Sequence, residues 1–174
     1  MNESMVLGIL CGLLIGGIVV VIILKLTKED GSVKCKYDER QQLVRGRGFK
    51  YGFFVLLIYN FLYGMADLAA ERRYLDSGAA MTLGICVGVL VYAVYCIWND
   101  GYFSLNENPR KVLIAFVFIG VFNLLLGLRQ IKAGELIVNG MLTFRCTNLL
   151  CGAMFLVLFL VIFVKWICNK REEA

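Results

Sequence analysis

The sequence predicts an all-α fold, a polytopic transmembrane helical bundle, and three observations predict it. Of 174 residues 60% are apolar and only 18% charged, against about 45–50% and about 25% in ordinary soluble domains. The apolar residues gather into five runs of near-spanning length, and most Lys and Arg fall in the segments between them. A hydrocarbon core of about 30 Å takes roughly 20 apolar residues as a helix. In lipid each backbone group must be paired within its own segment, so such runs are helices and not strands. The excess of apolar surface excludes a water-soluble enzyme, and the high apolar content excludes a disordered chain. Seven cysteines lie mostly inside apolar runs, unlike the disulfide framework of a small secreted protein.

The first span covers about residues 5–24 and contains no charge. A signal peptide needs a basic n-region, a shorter apolar stretch and a small-residue cleavage site. Here Asn2 and Glu3 precede the run and no such site follows, so the segment reads as a retained span. Gly8, Gly12 and Gly16 recur every four residues, a spacing that lets helix backbones approach closely in lipid. Packing within the bundle is the first expectation for this face, and homodimerisation the second.

Residues 25–50 form a basic segment with eight Lys or Arg. Asp38 stands three residues before Gln41, the spacing of a capping box, which starts a helix at Glu39. Two continuations are open. Either the helix runs through Gly46 and Gly48 into the second span, projecting about 18 Å beyond the membrane at 1.5 Å per residue, or the glycines divide it into an interfacial helix and a spanning one. Asp38, Arg40, Arg45, Arg47 and Lys50 are the candidate contact residues of this segment. Cations beside the inner leaflet attract anionic lipid, each worth about 1 kcal/mol. The planar fork of arginine equally suits a carboxylate or phosphate on a partner, and Asp38 and Glu39 among these arginines also fit an internal salt-bridge cluster.

The second span covers about 51–70 and carries Asn60, Tyr63 and Asp67 on one helical stripe. Polar groups at membrane depth as a rule face the bundle interior or a wet cavity. Asp67 lies about 24 Å from Tyr51 by helical rise, near the outer interface, where a solvated carboxylate is the first reading and a functional acid the second. The third span, about 79–98, is uncharged and contains Gly84 and Gly88; the fourth covers about 112–128 and the fifth about 146–164. Asn60 stands about 15 Å from Lys50 and Asn123 about 18 Å from Lys111 along their helices. An amide in hydrocarbon needs a partner, so these two, at matching depth, are expected to meet inside the bundle. Between the last two spans Asn139-Gly140 separates two short apolar runs, a hairpin signal. A re-entrant cap and a frayed start of the fifth helix are the alternatives. Tyr59, Tyr63, Tyr92 and Tyr95, with Trp98 and Trp166, read as interface belt or packing residues.

Orientation follows from the excess of Lys and Arg on the cytoplasmic side. Residues 25–50, 99–111 and those from 165 onward hold thirteen of them and the alternate set holds five, which puts the N-terminus outside and the C-terminus inside. The chain reads as one integral membrane domain, residues 1–174, because its only proline is Pro109 and no Pro/Ser-rich linker interrupts it.

The stretch Asp38-Glu-Arg-Gln41 followed by Arg45-Gly-Arg-Gly-Phe-Lys-Tyr-Gly52 resembles the signature of a group of uncharacterised small polytopic membrane proteins from Clostridia-type Gram-positive bacteria. Trp98-Asn-Asp-Gly-Tyr-Phe-Ser-Leu-Asn-Glu-Asn108, Asn139-Gly-Met-Leu-Thr-Phe-Arg145 and Asn148-Leu-Leu-Cys-Gly152 are similar to the same group, so the resemblance touches residues 37 to 155. It implies a bacterial inner-membrane location and brings no catalytic residue.

No histidine and no C-x-x-C pair occur. Zinc sites and the usual hydrolytic triads therefore lack their ligands and bases, and the cysteines read as small apolar filler. No catalytic, cofactor-binding or metal-binding residue is expected. The leading expectation is a non-enzymatic accessory or regulatory protein of the cell membrane, acting through helix packing and its basic cytoplasmic segment. The alternative is a small oligomeric transporter or channel with the Asn60, Tyr63 and Asp67 stripe on its path. An enzyme would have to work through Asp67, Glu71 or Asp100. The expected partners are the bilayer and its inner-leaflet anionic lipids, together with a protein partner or a second copy of the chain, and no nucleic acid.

Overall fold

Helix accounts for 77% of the described residues. Its long elements are α1 (Glu3–Thr27), α2 (Glu39–Ala69), α3 (Ser77–Trp98), α4 (Pro109–Lys132) and α5 (Thr147–Glu172). The structure, a computed structural model, describes residues 3–70 and 72–172, so Glu71 lies outside it. Among the described residues these five helices are long and apolar enough to cross a membrane. α2 starts at Glu39 and not near Tyr51, and it is continuous through Gly46 and Gly48. At 1.5 Å per residue it is about 46 Å long.

The chain divides into two compact units. One comprises Met1–Tyr37 with Phe103–Ala115, and the other Asp38–Tyr102 with Phe116–Ala174. In the second unit α3 packs against α2 and against α5. Small residues set how closely these helices approach. A Cβ on Gly52 would stand 2.7 Å from the carbonyl oxygen of Gly88, Gly48 lies beneath Tyr92, Tyr95 and Cys96, and the ring of Tyr59 covers Gly84. The buried residues of α3 are correspondingly small, Ala79, Ala80, Cys86, Ala93 and Cys96, with Ile97 the one large exception. Such crossings gain their energy from van der Waals contact between backbones. The segment 116–132 of α4 meets α5 in the same way, with Gly120 against Phe155 and Leu156, Gly127 against Leu149, and Gly152 against Leu124. The glycines of α1 differ, because a Cβ on Gly8, Gly12 or Gly16 would meet nothing within 4 Å. Within its own unit that face therefore meets no partner.

Asn139-Gly140 does turn a hairpin. β1 (Ile137–Val138) pairs antiparallel with β2 (Met141–Leu142), and Asn139 and Gly140 have φ of 53° and 74°. Two consecutive left-handed residues match the twist of a two-residue hairpin loop. The hairpin is fastened to the α2–α3 connection. Leu142 N–H donates to Tyr74 O and accepts in turn, through its carbonyl, from Asp76 N–H, and Arg72 donates to Asn139 O at 2.6 Å. A 3-10 turn over Phe144–Cys146 then leads into α5, its first N–H bonded to the Asp76 carboxylate.

Asn60 and Asn123, expected to meet, each make a hydrogen bond within their own helix. Asn60 Nδ2 donates to Leu56 O at 2.8 Å and Asn123 Nδ2 to Ile119 O at 2.9 Å. Each Nδ2 is thus bonded one turn back on its own helix. Equal depth fixed their height along the helices but not the direction in which each side chain points.

Candidate functional site

The first four turns of α2 hold the candidate residues and are built in two opposite stripes. The start is fixed by the capping box. Asp38 Oδ1 accepts from Gln41 N–H at 2.6 Å, and Gln41 Oε1 accepts from Asp38 N–H at 3.3 Å. Two of the donors that a helix leaves unpaired at its N-terminus are thereby satisfied.

Gln41, Val44, Arg45, Gly48 and Gly52 form the inward stripe, at the i, i+3, i+4 and i+7 spacing of one helix face. It grips the turn that follows α3. Gln41 Nε2 donates to Asp100 O and Arg45 Nη1 to Tyr102 O, both at 3.4 Å. Val44 fills the space over Gly101, where a Cβ would stand 2.6 Å from Val44 Cγ1. The Arg45 guanidinium lies 5.7 Å from the centroid of the Tyr92 ring, within cation–π range. Asp100 holds a left-handed backbone, φ 57°, a conformation that aspartate tolerates better than most residues. Its carboxylate is 3.4 Å from Lys165 Nζ on α5, which also donates to Trp98 O. The turn is therefore held from both sides, by α2 and by α5.

The outward stripe is Glu39, Gln42, Leu43, Gly46, Arg47 and Lys50, which together line a shallow depression. Leu43 is 66% exposed at its centre. Arg40, also exposed, stands seven residues before Arg47 and so points in nearly the same direction. Of the five residues singled out by sequence, Arg47 and Lys50 line this depression, Arg40 stands two turns before Arg47 outside it, Asp38 is used by the cap, and Arg45 is turned the other way. Among the described residues no ion pair joins Asp38 or Glu39 to Arg40 or Arg47.

A cleft of about 490 Å³ runs between α2 and α3. Arg45, Phe49, Gly52, Phe53 and Leu56 line it from α2, and Ile85, Gly88, Val89 and Tyr92 from α3. Sequence reasoning missed this cleft. The signal was present as the four-residue spacing of Gly48 and Gly52, which matches that of Gly84 and Gly88 on the helix packed against it.

The first unit contains a separate polar cluster, centred on Asn106, which is 8% exposed. Its Nδ2 donates to the Asp30 carboxylate at 3.1 Å, to Lys34 O at 3.0 Å and to Ser32 Oγ at 3.2 Å. Its Oδ1 accepts from Lys36 N–H and from the Ser104 hydroxyl. The backbones also pair, Glu29 N–H to Asn106 O and Asn108 N–H to Thr27 O. The Lys36 ammonium, followed by Ser32 and Asn106, holds the Asp30 carboxyl well below the usual carboxylate range. Every group at this centre is spent on its neighbours, so the cluster is a clamp between residues 27–36 and 104–108.

The stripe on the second half of α2 is likewise engaged. The Tyr63 hydroxyl is 3.5 Å from Leu75 O, and Asp67 pairs with Arg73 at 3.1 Å. Among the described residues no group of three or more His, Cys, Asp or Glu stands close enough to hold a metal ion. No family model, curated protein or solved structure matches the chain.

Proposed function

We propose that the chain is a multi-pass protein of the bacterial cytoplasmic membrane, N-terminus out and C-terminus in. It acts without catalysis, as an accessory or regulatory subunit, and offers the N-terminal end of α2 to a partner protein at the cytoplasmic face. The observation that carries this reading is that this end of α2 is buttressed. An orientation signal depends on the number of Lys and Arg near a span and little on Asp or Glu. It has no use for a capping box, or for Gln41, Val44 and Arg45 seated on the 99–102 turn. A docking face does, because ordering it before the encounter removes that cost from binding. Leu43 and Gly46 then supply an apolar centre, Arg47 and Lys50 a cationic rim suited to carboxylates or phosphates, and Arg40 a further exposed cation two turns back along the helix.

A photo-reactive residue placed at Leu43 in cells tests this. The expected result is a discrete protein adduct that weakens severalfold in Arg40→Lys/Arg47→Lys, a variant that keeps charge but loses the planar fork. No protein adduct, or an adduct indifferent to the double substitution, rejects the docking face. The transporter reading draws no support from the Asn60, Tyr63 and Asp67 stripe, each member of which has its partner on α2 or in the connection just beyond it.

A further inference from the structure

We infer that the cleft between α2 and α3 is a site for one anionic glycerophospholipid of the inner leaflet, with its phosphate on Arg45 and one acyl chain over Gly52 and Gly88. The cleft is asymmetric in charge. Arg45 stands at one end, beside Tyr92, and beyond it the walls are Phe49, Phe53, Leu56 and Val89. Its floor is the contact of Gly52 with Gly88, where a Cβ on Gly52 would stand 2.7 Å from the Gly88 carbonyl oxygen. Its volume of about 490 Å³ falls within the roughly 300–1,000 Å³ of small-molecule sites.

Length selects the occupant. Between Arg45 and Leu56 α2 rises about 16 Å, roughly half of a 30 Å hydrocarbon core. A second membrane-crossing helix would need a groove of full depth. This one stops where the Tyr59 ring closes over Gly84. With Ala69 at the far boundary, about 20 residues of helix place Lys50 at the near one, and Arg45 about 7 Å beyond it, at headgroup level. The polar end of a lipid therefore meets the guanidinium while its chain lies along Phe53 and Leu56. A guanidinium fork matches phosphate geometry, and basic pockets between spanning helices at the cytoplasmic side suit anionic headgroups. The site rests on the membrane reading and orientation proposed above. It does not rest on the docking face, which uses the opposite stripe of α2.

The test uses the full chain in nanodiscs of phosphatidylcholine with a minority of phosphatidylglycerol, followed by gentle extraction and native mass spectrometry. One phosphatidylglycerol per chain is expected to remain, in preference to phosphatidylcholine. Arg45→Gln should lower that retention about fivefold. Val89→Trp, which fills the cleft from its exposed wall without touching the glycine floor, should abolish it. Arg47→Gln and Lys50→Gln remove equal charge from the outward stripe and should change it by no more than about twofold. Equal losses on Arg45→Gln and Arg47→Gln would mean diffuse attraction to charge and would overturn the site. Unchanged retention in Val89→Trp, or no preference between the two lipids, would overturn it as well. A Leu43 adduct that persists without lipid retention removes this inference and leaves the docking face standing; retention without the adduct does the reverse.

Discussion

The carbonyl oxygen of Gly88 lies 2.7 Å from where a Cβ on Gly52 would stand, so α2 and α3 meet backbone to backbone. Neither side of this contact is a flexible side chain that can swing away. Gly52→Ala is therefore expected to destabilise the protein by about 1–3 kcal/mol, the usual cost of overpacking. Gly46→Ala is the contrast. Nothing lies within 4 Å of its Cβ position, and replacing a helical glycine by alanine should gain up to about 1 kcal/mol. Thermal unfolding of the two variants in the same detergent checks the difference in sign; a shared sign would refute the seam.

Asn106 should be the least replaceable polar residue of the first unit. Asn106→Ala leaves the Ser104 hydroxyl and the Lys36 N–H without their acceptor, and each buried unpaired group costs about 1–3 kcal/mol. Hydrogen exchange at the amides of Lys36 and Leu105 is expected to accelerate about 5- to 150-fold, with α2–α3 unaffected. Asn106→Asp should be no milder, since it sets a second carboxylate against Asp30. If exchange stays slow in both, the clamp does not depend on this side chain.

The clamp should also have a defined pH range. Asp30 titrates below its ordinary value of 3.8, and Lys36 is the first cause. A depressed folded pKa contributes stability that is complete above the unfolded value and is lost as pH falls through the folded one. The NMR signal of the Asn106 side-chain amide is therefore expected to hold constant from pH 7 to about pH 5 and to move only below the unfolded value. In Lys36→Met the transition should shift upward, toward 3.8. A wild-type midpoint at or above 3.8 would contradict the assignment.

The two ends of α5 should report opposite sides of the membrane. Reporter fusions after residue 174 are expected to read cytoplasmic, and fusions within 134–140, at the hairpin, to read external, as thirteen Lys or Arg against five require. Agreement between the two positions would mean that a span has been miscounted.

What the sequence made legible was local. Five apolar runs became five helices because each run carries its own signal, and the Asp38–Gln41 cap and the Asn139-Gly140 turn are complete within a few residues. What it hid was azimuth and distance along the chain. Gly46 and Gly48 looked alike as helix breakers. Gly48 is instead a packing site, and the difference lies in Tyr92, Tyr95 and Cys96 on another helix. The five candidate contact residues formed one cluster in sequence, yet Arg45 faces α3 while Arg47 faces away, a separation of two residues that turns a helix through about 200°. The clamp had no local mark, since Asn106 meets Asp30 across an interval of 76 residues.

That interval orders the assembly of the chain in time. A ribosome adding about 5–20 residues per second makes Asn106 roughly 4–15 s after Asp30. α1 leaves the ribosome before α2 and α3, yet the loop after it waits unfastened while both are completed. Every residue of the Gly52–Gly88 seam has been synthesised by then. An earlier part of the nascent protein is thus secured by a later one.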